Sequence, residues 1–345
     1  MARAKHNPLL NLIHKVKLIR GSAHFSFPLL ADGALYVGQV DQDLIKLNGE
    51  SLRVLWRRPS AGFVPRCASS NLVILTSDRS FQTRAVDADG TIVWTLEPKG
   101  RWGWDLWRDR LLSFDLSDGV TVVDPATGLE VDRIPLETRP GEVAWFRCGD
   151  ILLLCQGKGD PFRAYDLTRH EFIWERNLLQ ELARQYRVEN NSALLRLRAG
   201  QPGRFIGARG KGLFAFDLTN GQLVWGVPVH AKEGPLNVDG DRIYVWARTD
   251  DIRSDRLVCL DETTGSTVYE VPVEPYGPWS EGALSARHLA YAARMGVILL
   301  FRRSDGEEVW RHDYKQGTSD APLIAGNRMF VCGGDGNLLV FEGDI

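Results

Sequence analysis

Short apolar runs recur along the whole chain, and turns rich in aspartate, asparagine and glycine separate them. Runs such as LFAF and LVCL precede a turn, and a second β-rich run follows it. Two such runs around a tight turn are typical of a β-hairpin. Another hairpin lies upstream in each period, as in FPLLADGALYVG and LNVDGDRIYVWA. The pattern therefore predicts four short strands per period and an all-β chain.

The hairpin nearest the end of each period carries a recurring phrase, which is clearest as DLTNGQLVW at residues 217–225. Aligned on their last residue, the copies end at Trp56, Trp94, Asp132, Trp174, Trp225, Tyr269 and Trp310. A period of roughly 40 residues is typical of a propeller or of a helical solenoid. Because each period holds strands rather than helices, the pattern favours a β-propeller of four-stranded antiparallel blades.

The two ends of the chain hold incomplete units. The C-terminal run APLIAGNRMFVCGGDGNLLVFEGDI supplies only three strands, while residues 14–20 form a strand-like run without a partner. Pairing these residues with the last unit would close the sheet and leave no open edge. We therefore expect eight blades, with seven as the alternative if residues 14–20 do not pair. No linker divides the chain, so residues 1–345 are expected to form one propeller domain.

The repeated phrase resembles the tryptophan-docking motif, AxDxxxGxxxW, of pyrroloquinoline-quinone-like propellers. Ala215, Asp217, Gly221 and Trp225 match every fixed position, and the copy ending at Trp174 has His170 in the glycine place. The resemblance implies that the terminal aromatic residues are structural staples between blades. These residues are Trp56, Trp94, Trp174, Trp225, Tyr269 and Trp310. Asp132 breaks the pattern, so its blade is expected to dock less tightly on the next one.

The resemblance does not imply that this chain binds a quinone cofactor. Quinoprotein dehydrogenases carry an adjacent cysteine pair and a calcium-bound carboxylate site, and neither pattern is found in this sequence. The seven histidines show no HxxxH or HxH spacing, and no GxSxG motif occurs. We therefore expect a non-enzymatic member of the family, with no cofactor and no metal.

Composition bears on partners and compartment. A net charge of −2 gives no global attraction to nucleic acid. The N-terminal apolar segments are interrupted by polar residues, and nowhere is there a long uncharged apolar run, so we expect neither a secretion signal nor a membrane span. The five cysteines lack CxxC spacing and are interpreted as free thiols in a reducing compartment. A cytoplasmic protein, monomeric by itself, is the resulting expectation.

The informative positions are those where the repeat is interrupted. The longest interval, from Trp174 to Trp225, contains apolar residues at helical spacing, which predicts an amphipathic helix at about residues 177–188. Aromatic and arginine side chains on exposed loops are typical of protein interfaces. The candidate partner-binding residues are Trp102, Trp104, Arg184, Arg187, Arg253, Tyr276 and Trp279. For Trp104, packing in the channel or on the adjacent sheet is an equal alternative.

Two classes of function follow from this pattern. The favoured one is a non-catalytic scaffold that binds another protein through its loop face or central channel. A narrower form of it is an immunity or inhibitor protein that neutralises a toxin. The other class is a small-ligand binder, for a sugar or a quinone, or an enzyme that uses the channel.

Overall fold

The structure is a computed structural model of the full chain. It describes residues 9–18, 28–38, 43–77, 82–97, 102–115, 119–134, 143–156, 161–186, 196–209, 212–231, 235–248, 255–273, 281–293, 295–318 and 321–345. Within these ranges there are thirty-two strands and a single helix. Every strand belongs to one of eight four-stranded antiparallel sheets. The fold is therefore the predicted all-β, eight-bladed propeller, and the seven-bladed alternative is excluded.

The chain divides into two compact units, and the first comprises Met1–Pro98, Pro125–Gly128 and Tyr276–Ile345. It contains four sheets, whose strands are numbered in chain order. The first sheet is β2 (Leu29–Ala31), β3 (Ala34–Gly38), β4 (Asp43–Asn48) and β5 (Val54–Pro59), and the second is β6 (Phe63–Ser69), β7 (Leu72–Ser77), β8 (Thr83–Val86) and β9 (Ile92–Leu96). The seventh is β26 (Ala283–Leu284), β27 (His288–Ala292), β28 (Val297–Arg302) and β29 (Glu308–Asp313). The eighth joins β30 (Leu323–Ala325), β31 (Arg328–Cys332) and β32 (Asn337–Gly343) to β1 (Leu10–Lys17).

The second unit comprises Lys99–Asp124 and Leu129–Pro275 and contains the other four sheets. The third sheet is β10 (Trp102–Trp107), β11 (Arg110–Asp115), β12 (Gly119–Val123) and β13 (Glu130–Ile134), and the fourth is β14 (Val143–Cys148), β15 (Ile151–Gln156), β16 (Phe162–Asp166) and β17 (Glu171–Arg176). The helix α1 (Leu178–Tyr186) follows. The fifth is β18 (Arg196–Ala199), β19 (Arg204–Arg209), β20 (Gly212–Asp217) and β21 (Leu223–Val227), and the sixth is β22 (Leu236–Asp239), β23 (Arg242–Arg248), β24 (Asp255–Asp261) and β25 (Thr267–Val273).

The N-terminal strand closes the eighth sheet, as the sequence predicted. β1 pairs antiparallel with β32, from Leu10 opposite Gly343 to Lys17 opposite Asn337. The strand begins earlier than the predicted residues 14–20, and Ile19 and Arg20 lie outside the described residues. Because β1 occupies the outer edge of β32, the last three strands of the chain gain the fourth strand that they lack.

One irregularity recurs at the same place in every sheet. Between the third and fourth strands the register shifts by one residue, as between Ala215 opposite Trp225 and Phe216 opposite Leu223. A β-bulge of this kind bends the strand and re-aims the side chain beside it. The fold thus presents the last residue of each repeated phrase at an equivalent position.

The core is built between neighbouring sheets rather than within one sheet. Inside the first unit, an apolar cluster joins the eighth and first sheets through Leu338, Val340, Ile45 and Leu47, all fully buried. Inside the second unit, a similar cluster joins the fifth and sixth sheets around the buried Trp225. Such closely packed interiors tolerate little change in volume. Within the described residues, no helix is long and apolar enough to cross a membrane.

Candidate functional site

The repeated tryptophans lie at the joints between sheets. The indole Nε1 of Trp56, Trp94, Trp174 and Trp225 donates a hydrogen bond to a backbone carbonyl in the turn of the next phrase. The acceptors are Ala88 (2.8 Å), Pro125 (2.9 Å), Leu218 (2.8 Å) and Glu262 (2.8 Å), each one residue after the aspartate of its phrase. Trp310 makes the corresponding bond, at 3.0 Å, to the carbonyl of Leu10 in the closing strand. These side chains are committed to contacts inside the fold.

A glycine in the turn of the next phrase faces the indoles of Trp56, Trp94, Trp174 and Trp225. A Cβ atom added to Gly221 would lie 2.9 Å from the ring of Trp174, and one added to Gly265 would lie 2.7 Å from the ring of Trp225. Both glycines also have positive φ, at 67° and 71°. Glycine is needed at these turns both for its backbone conformation and because the indole fills the space of a side chain.

The joint between the third and fourth sheets replaces both members of this pair. Asp132 stands in the tryptophan place, opposite Val122, and His170 stands in the glycine place with φ of 58°. The imidazole Nε2 of His170 lies 3.9 Å from the carboxylate of Asp132. The two departures, which the sequence showed separately, are therefore one substitution of an indole–glycine contact by a pair of polar side chains.

The same joint carries a polar network at its first strands. The guanidinium of Arg147, on β14, donates to the Asp105 carboxylate on β10 at 2.5 and 3.2 Å. Asp150 accepts from the indole of Trp107 at 2.8 Å and from Arg108 at 2.6 Å. Charge-assisted, bidentate contacts of this kind are among the stronger hydrogen bonds in proteins. Trp107 is thus part of an inter-sheet joint, and looser docking at Asp132 stays a prediction.

A third variant occurs where the chain closes. The register of β1 on β32 puts His14, opposite Val340, in the tryptophan place of the eighth sheet. The register of β4 and β5 puts Leu52, with φ of 58°, in the glycine place of the first sheet. Leu52 is buried in the cluster that also contains Leu18. At both joints that have neither tryptophan nor tyrosine, a residue with a side chain stands in the glycine place of the facing turn.

The predicted insertion forms α1, between β17 and β18. Leu178 and Leu182 are buried in the apolar cluster that joins the fourth and fifth sheets. Glu181 and Arg184 are exposed on the opposite side, and Glu181 lies 4.0 Å from Arg176 at the end of β17. This arrangement confirms an amphipathic helix, and its exposed side is the candidate site that the structure describes most fully.

The other predicted contact residues are only partly described. Trp102 and Trp104 lie on β10, but their side chains are outside the described part of the structure. Arg187, Arg253, Tyr276 and Trp279 fall outside the described residues altogether. Of the candidate set, only Arg184 is described with its exposure.

One residue near the candidate Arg253 was not singled out from the sequence. Asp255 begins β24, immediately after the interval 249–254, and its buried carboxylate accepts a 2.8 Å hydrogen bond from the buried indole of Trp246. A buried carboxylate normally has such a partner. The sequence WARTDDIRSDRL could have indicated this role for Asp255, because it reads as a hairpin in which Asp255 lies opposite Arg248.

Several titratable groups have a pKa that is shifted by a structural cause. The hydroxyl of Thr219 donates to Asp217 at 2.5 Å and, with backbone amides of the same turn, lowers the pKa of that carboxyl. Burial raises the pKa of the Cys148 thiol, against the influence of Arg147. Among the described residues, no group of three or more histidine, cysteine, aspartate or glutamate side chains is placed to hold a metal ion.

The architecture defines the class of protein: an eight-bladed β-propeller with indole-bearing repeats. Two solved structures share the fold. The computationally designed Ika8 protein matches with a TM-score of 0.73 and 13% identity, over 94% of this chain and 98% of that one. BamB from Moraxella catarrhalis matches with a TM-score of 0.69 and 16% identity, over 96% of this chain and 99% of that one.

A family model identifies the family to which these repeats belong. The model of a family described as outer membrane protein assembly factor BamB matches residues 11–268 and 253–345. The chain belongs to this family of pyrroloquinoline-quinone-like propellers, as its repeated phrase indicated. A search of curated protein sequences finds no match.

Proposed function

We propose that the chain is a non-catalytic scaffold that binds another protein, and that the partner contacts the exposed side of α1. The observation that carries this proposal is the insertion itself. Among the described links between sheets, only the one after β17 contains a helix. A blade requires no such element, because residues 60–62, which are described in full, join β5 to β6 without one.

The helix has the properties of a presented surface. Two leucines fix it to the core, and each buried leucine contributes about 1.5–3 kcal/mol. An isolated helix of this length is unstable in water, so the leucine contacts are what keep it folded. Glu181 and Arg184 therefore project from a fixed base, and pre-ordered side chains lose little entropy on binding. The indoles at the joints serve, in this proposal, as structural staples rather than as contacts to the partner.

Charge reversal on the helix tests the proposal. Chain carrying Arg184→Glu, or Glu181→Arg, is expected to lose a stoichiometric partner that the unaltered chain retains during purification, with unchanged thermal melting. Lys315→Glu changes charge at an exposed position in the other unit and provides the control, which should retain the partner. Retention of the partner by both helix variants would contradict the proposal. Binding of a sugar or quinone that is equal in all variants, without a protein partner, would favour the small-ligand class.

The nature of the partner and the compartment are part of the same proposal. A toxin is one class of partner, and rescue of cells from a toxin encoded beside this chain would single out the immunity role. Among the described residues, Cys67, Cys148, Cys259 and Cys332 form no disulfide, which supports a reducing compartment such as the cytoplasm. Thiol labelling of the unfolded protein taken directly from cells would contradict this if those four cysteines were oxidised.

A further inference from the structure

The outermost strand of each sheet, on which the repeated phrase ends, carries an aliphatic side chain at its bulge. The residue before each terminal phrase position is aliphatic, and it is exposed in six sheets. These residues are Ile13, Leu55, Val93, Val131, Val224 and Val268. Edge strands present unpaired backbone groups that can accept a further strand. The edges are alike in this respect, so any selectivity among them comes from their charges.

The charges distinguish two of these edges from the rest. β1 and β5 carry basic residues and no acidic one, whereas β13, β17, β25 and β29 each contain glutamate. On β13 and β29 the glutamate pairs with an arginine three residues later, at 2.8 Å in both cases. We call β1 and β5, with their basic residues and the arginine that precedes β5, the basic edge. The residues are His14, Lys15, Lys17, Arg53, Arg57 and Arg58.

The two strands of the basic edge are joined in space. Nη2 of Arg57 donates a 2.6 Å hydrogen bond to the carbonyl of Leu18, the residue that follows β1. Arg57 also lies 3.6 Å from the Asp43 carboxylate, so its charge is partly balanced. Arg53 and His14 have no side-chain partner among the described residues. The edge therefore retains positive charge that the fold does not neutralise.

Exposed apolar side chains lie among these charges. Val54 and Leu55 on β5 are 41% and 43% exposed, and every residue of β5 except the half-buried Trp56 is exposed. Leu12 and Ile13 are exposed on β1. A strand that offers a free edge, aliphatic side chains and one sign of charge is suited to strand addition.

We propose that β5, in the basic edge, binds an extended, acidic segment of a partner protein, which adds to the first sheet as a fifth strand. Main-chain hydrogen bonds to β5 would hold the segment in register. Carboxylates would face Arg53 and Arg58, and apolar residues would cover Val54 and Leu55. The whole chain has a net charge of −2, so this positive edge is a local feature and not a consequence of composition.

Charged residues on edge strands also protect sheets from unwanted pairing. That role does not explain why β1 and β5 carry charges of only one sign. Protection requires charge of either sign, and the mixed charges of β13 and β29 satisfy it. An edge with one sign repels other copies of itself yet attracts an opposite charge. Exposed aliphatic residues and an open strand edge favour a polypeptide as the partner. A nucleic acid or an anionic lipid would be attracted by the positive charge alone and would require neither of these features.

Peptide titration tests the proposal. The probe is a synthetic peptide in which glutamate alternates with valine, and fluorescence anisotropy measures its affinity for the full chain. We expect a Kd in the micromolar range. Arg53→Glu/Arg58→Glu should weaken binding at least tenfold. The control Arg169→Glu/Lys315→Glu makes the same change in net charge at exposed positions elsewhere and should leave the Kd within twofold.

A second peptide separates strand addition from simple charge attraction. It has the same sequence with alternate backbone nitrogens methylated, which retains the charge and removes the hydrogen bonds. Strand addition predicts at least tenfold weaker binding. Equal affinity for both peptides would overturn the proposal, as would binding of phosphatidylserine vesicles or duplex DNA in place of the peptide. Arg184→Glu should not change peptide affinity, so this proposal and that for α1 fail separately.

Discussion

A glycine faces a tryptophan across several inter-sheet joints, and the reason is visible at single atoms. A methyl group added to Gly221 would meet the six-membered ring of Trp174, whereas one added to Gly149, in a turn between first and second strands, would meet no atom within 4 Å beyond its chain neighbours. Both residues have positive φ, 67° and 60°. The pair therefore separates the effect of ring contact from that of backbone conformation.

Gly221→Ala is expected to destabilise the chain more than Gly149→Ala. The second substitution meets only the left-handed backbone penalty of about 1–2 kcal/mol, whereas the first must also displace the indole. Urea unfolding of the two variants measures the difference. Equal losses of stability would show that the ring contact does not constrain the glycine.

The turn carboxylates predict acid sensitivity. The pKa of Asp217 is lowered, chiefly by the hydrogen bond from the Thr219 hydroxyl. A folded pKa below the unfolded value near 3.9 gives stability that is present above the unfolded pKa and lost as the pH falls through the folded pKa. Asp217→Asn, which places at this turn the residue found at Asn48, should cost about 1 kcal/mol at pH 7. The difference from the unaltered chain should close at low pH in urea unfolding, and a constant difference would contradict this origin.

At the scale of elements, the joint between the third and fourth sheets is built from polar residues in place of an indole. Asp132 and His170 occupy the two facing positions, and Asp105 with Arg147 bridges the first strands. The outer pair is half exposed, so it contributes at most about 1 kcal/mol. The inner pair is more buried, and its bidentate geometry makes it the stronger contact.

A double-mutant cycle tests whether Asp132 and His170 are a matched pair. Asp132→Trp alone should destabilise, because its indole meets the imidazole, and Asp132→Trp/His170→Gly should recover the loss by restoring the standard contact. We expect a coupling free energy of at least about 1 kcal/mol in chemical unfolding. Additive effects of the two substitutions would show that the positions are independent.

Much of the fold was predictable because the same pattern of strands and turns recurs in each repeat. The hairpins, their turns and the closing strand follow from periodicity and turn residues, and even the pairing of Ala144 opposite Cys155 follows from the turn at Gly149 and Asp150. The contact between Asp132 and His170 was not predicted, because it depends on which residues of successive repeats face each other. The helix was predicted from its leucine spacing, and Arg184 is exposed as expected, because Leu178 and Leu182 pack into the core.

For the whole molecule, closure depends on the strand that is most distant in sequence from its neighbour. β1 buries Leu10 against the eighth sheet, and Lys17 donates a hydrogen bond to the carbonyl of Asp335. Without β1, the outer edge of β32 would be open, and an open apolar edge promotes association.

Removal of residues 1–17 is therefore expected to convert the chain to aggregates in size-exclusion chromatography. A synthetic peptide with residues 9–18, added in trans during refolding, should restore part of the monomer. Lys17→Ala is the control, since it removes one side-chain contact and leaves the strand in place. A truncated chain that remains monomeric with an unchanged melting temperature would contradict closure by β1.

The central functional claim is that a partner protein recognises the departure from the repeat at α1 rather than the repeat itself. Hydrogen–deuterium exchange of the chain with and without its purified partner tests this claim directly. We expect slower exchange in peptides that cover Leu178–Tyr186, and no change in the turns of the repeated phrase at Asp217 and Asp261. Protection that leaves the helix unchanged and falls on those turns would contradict it.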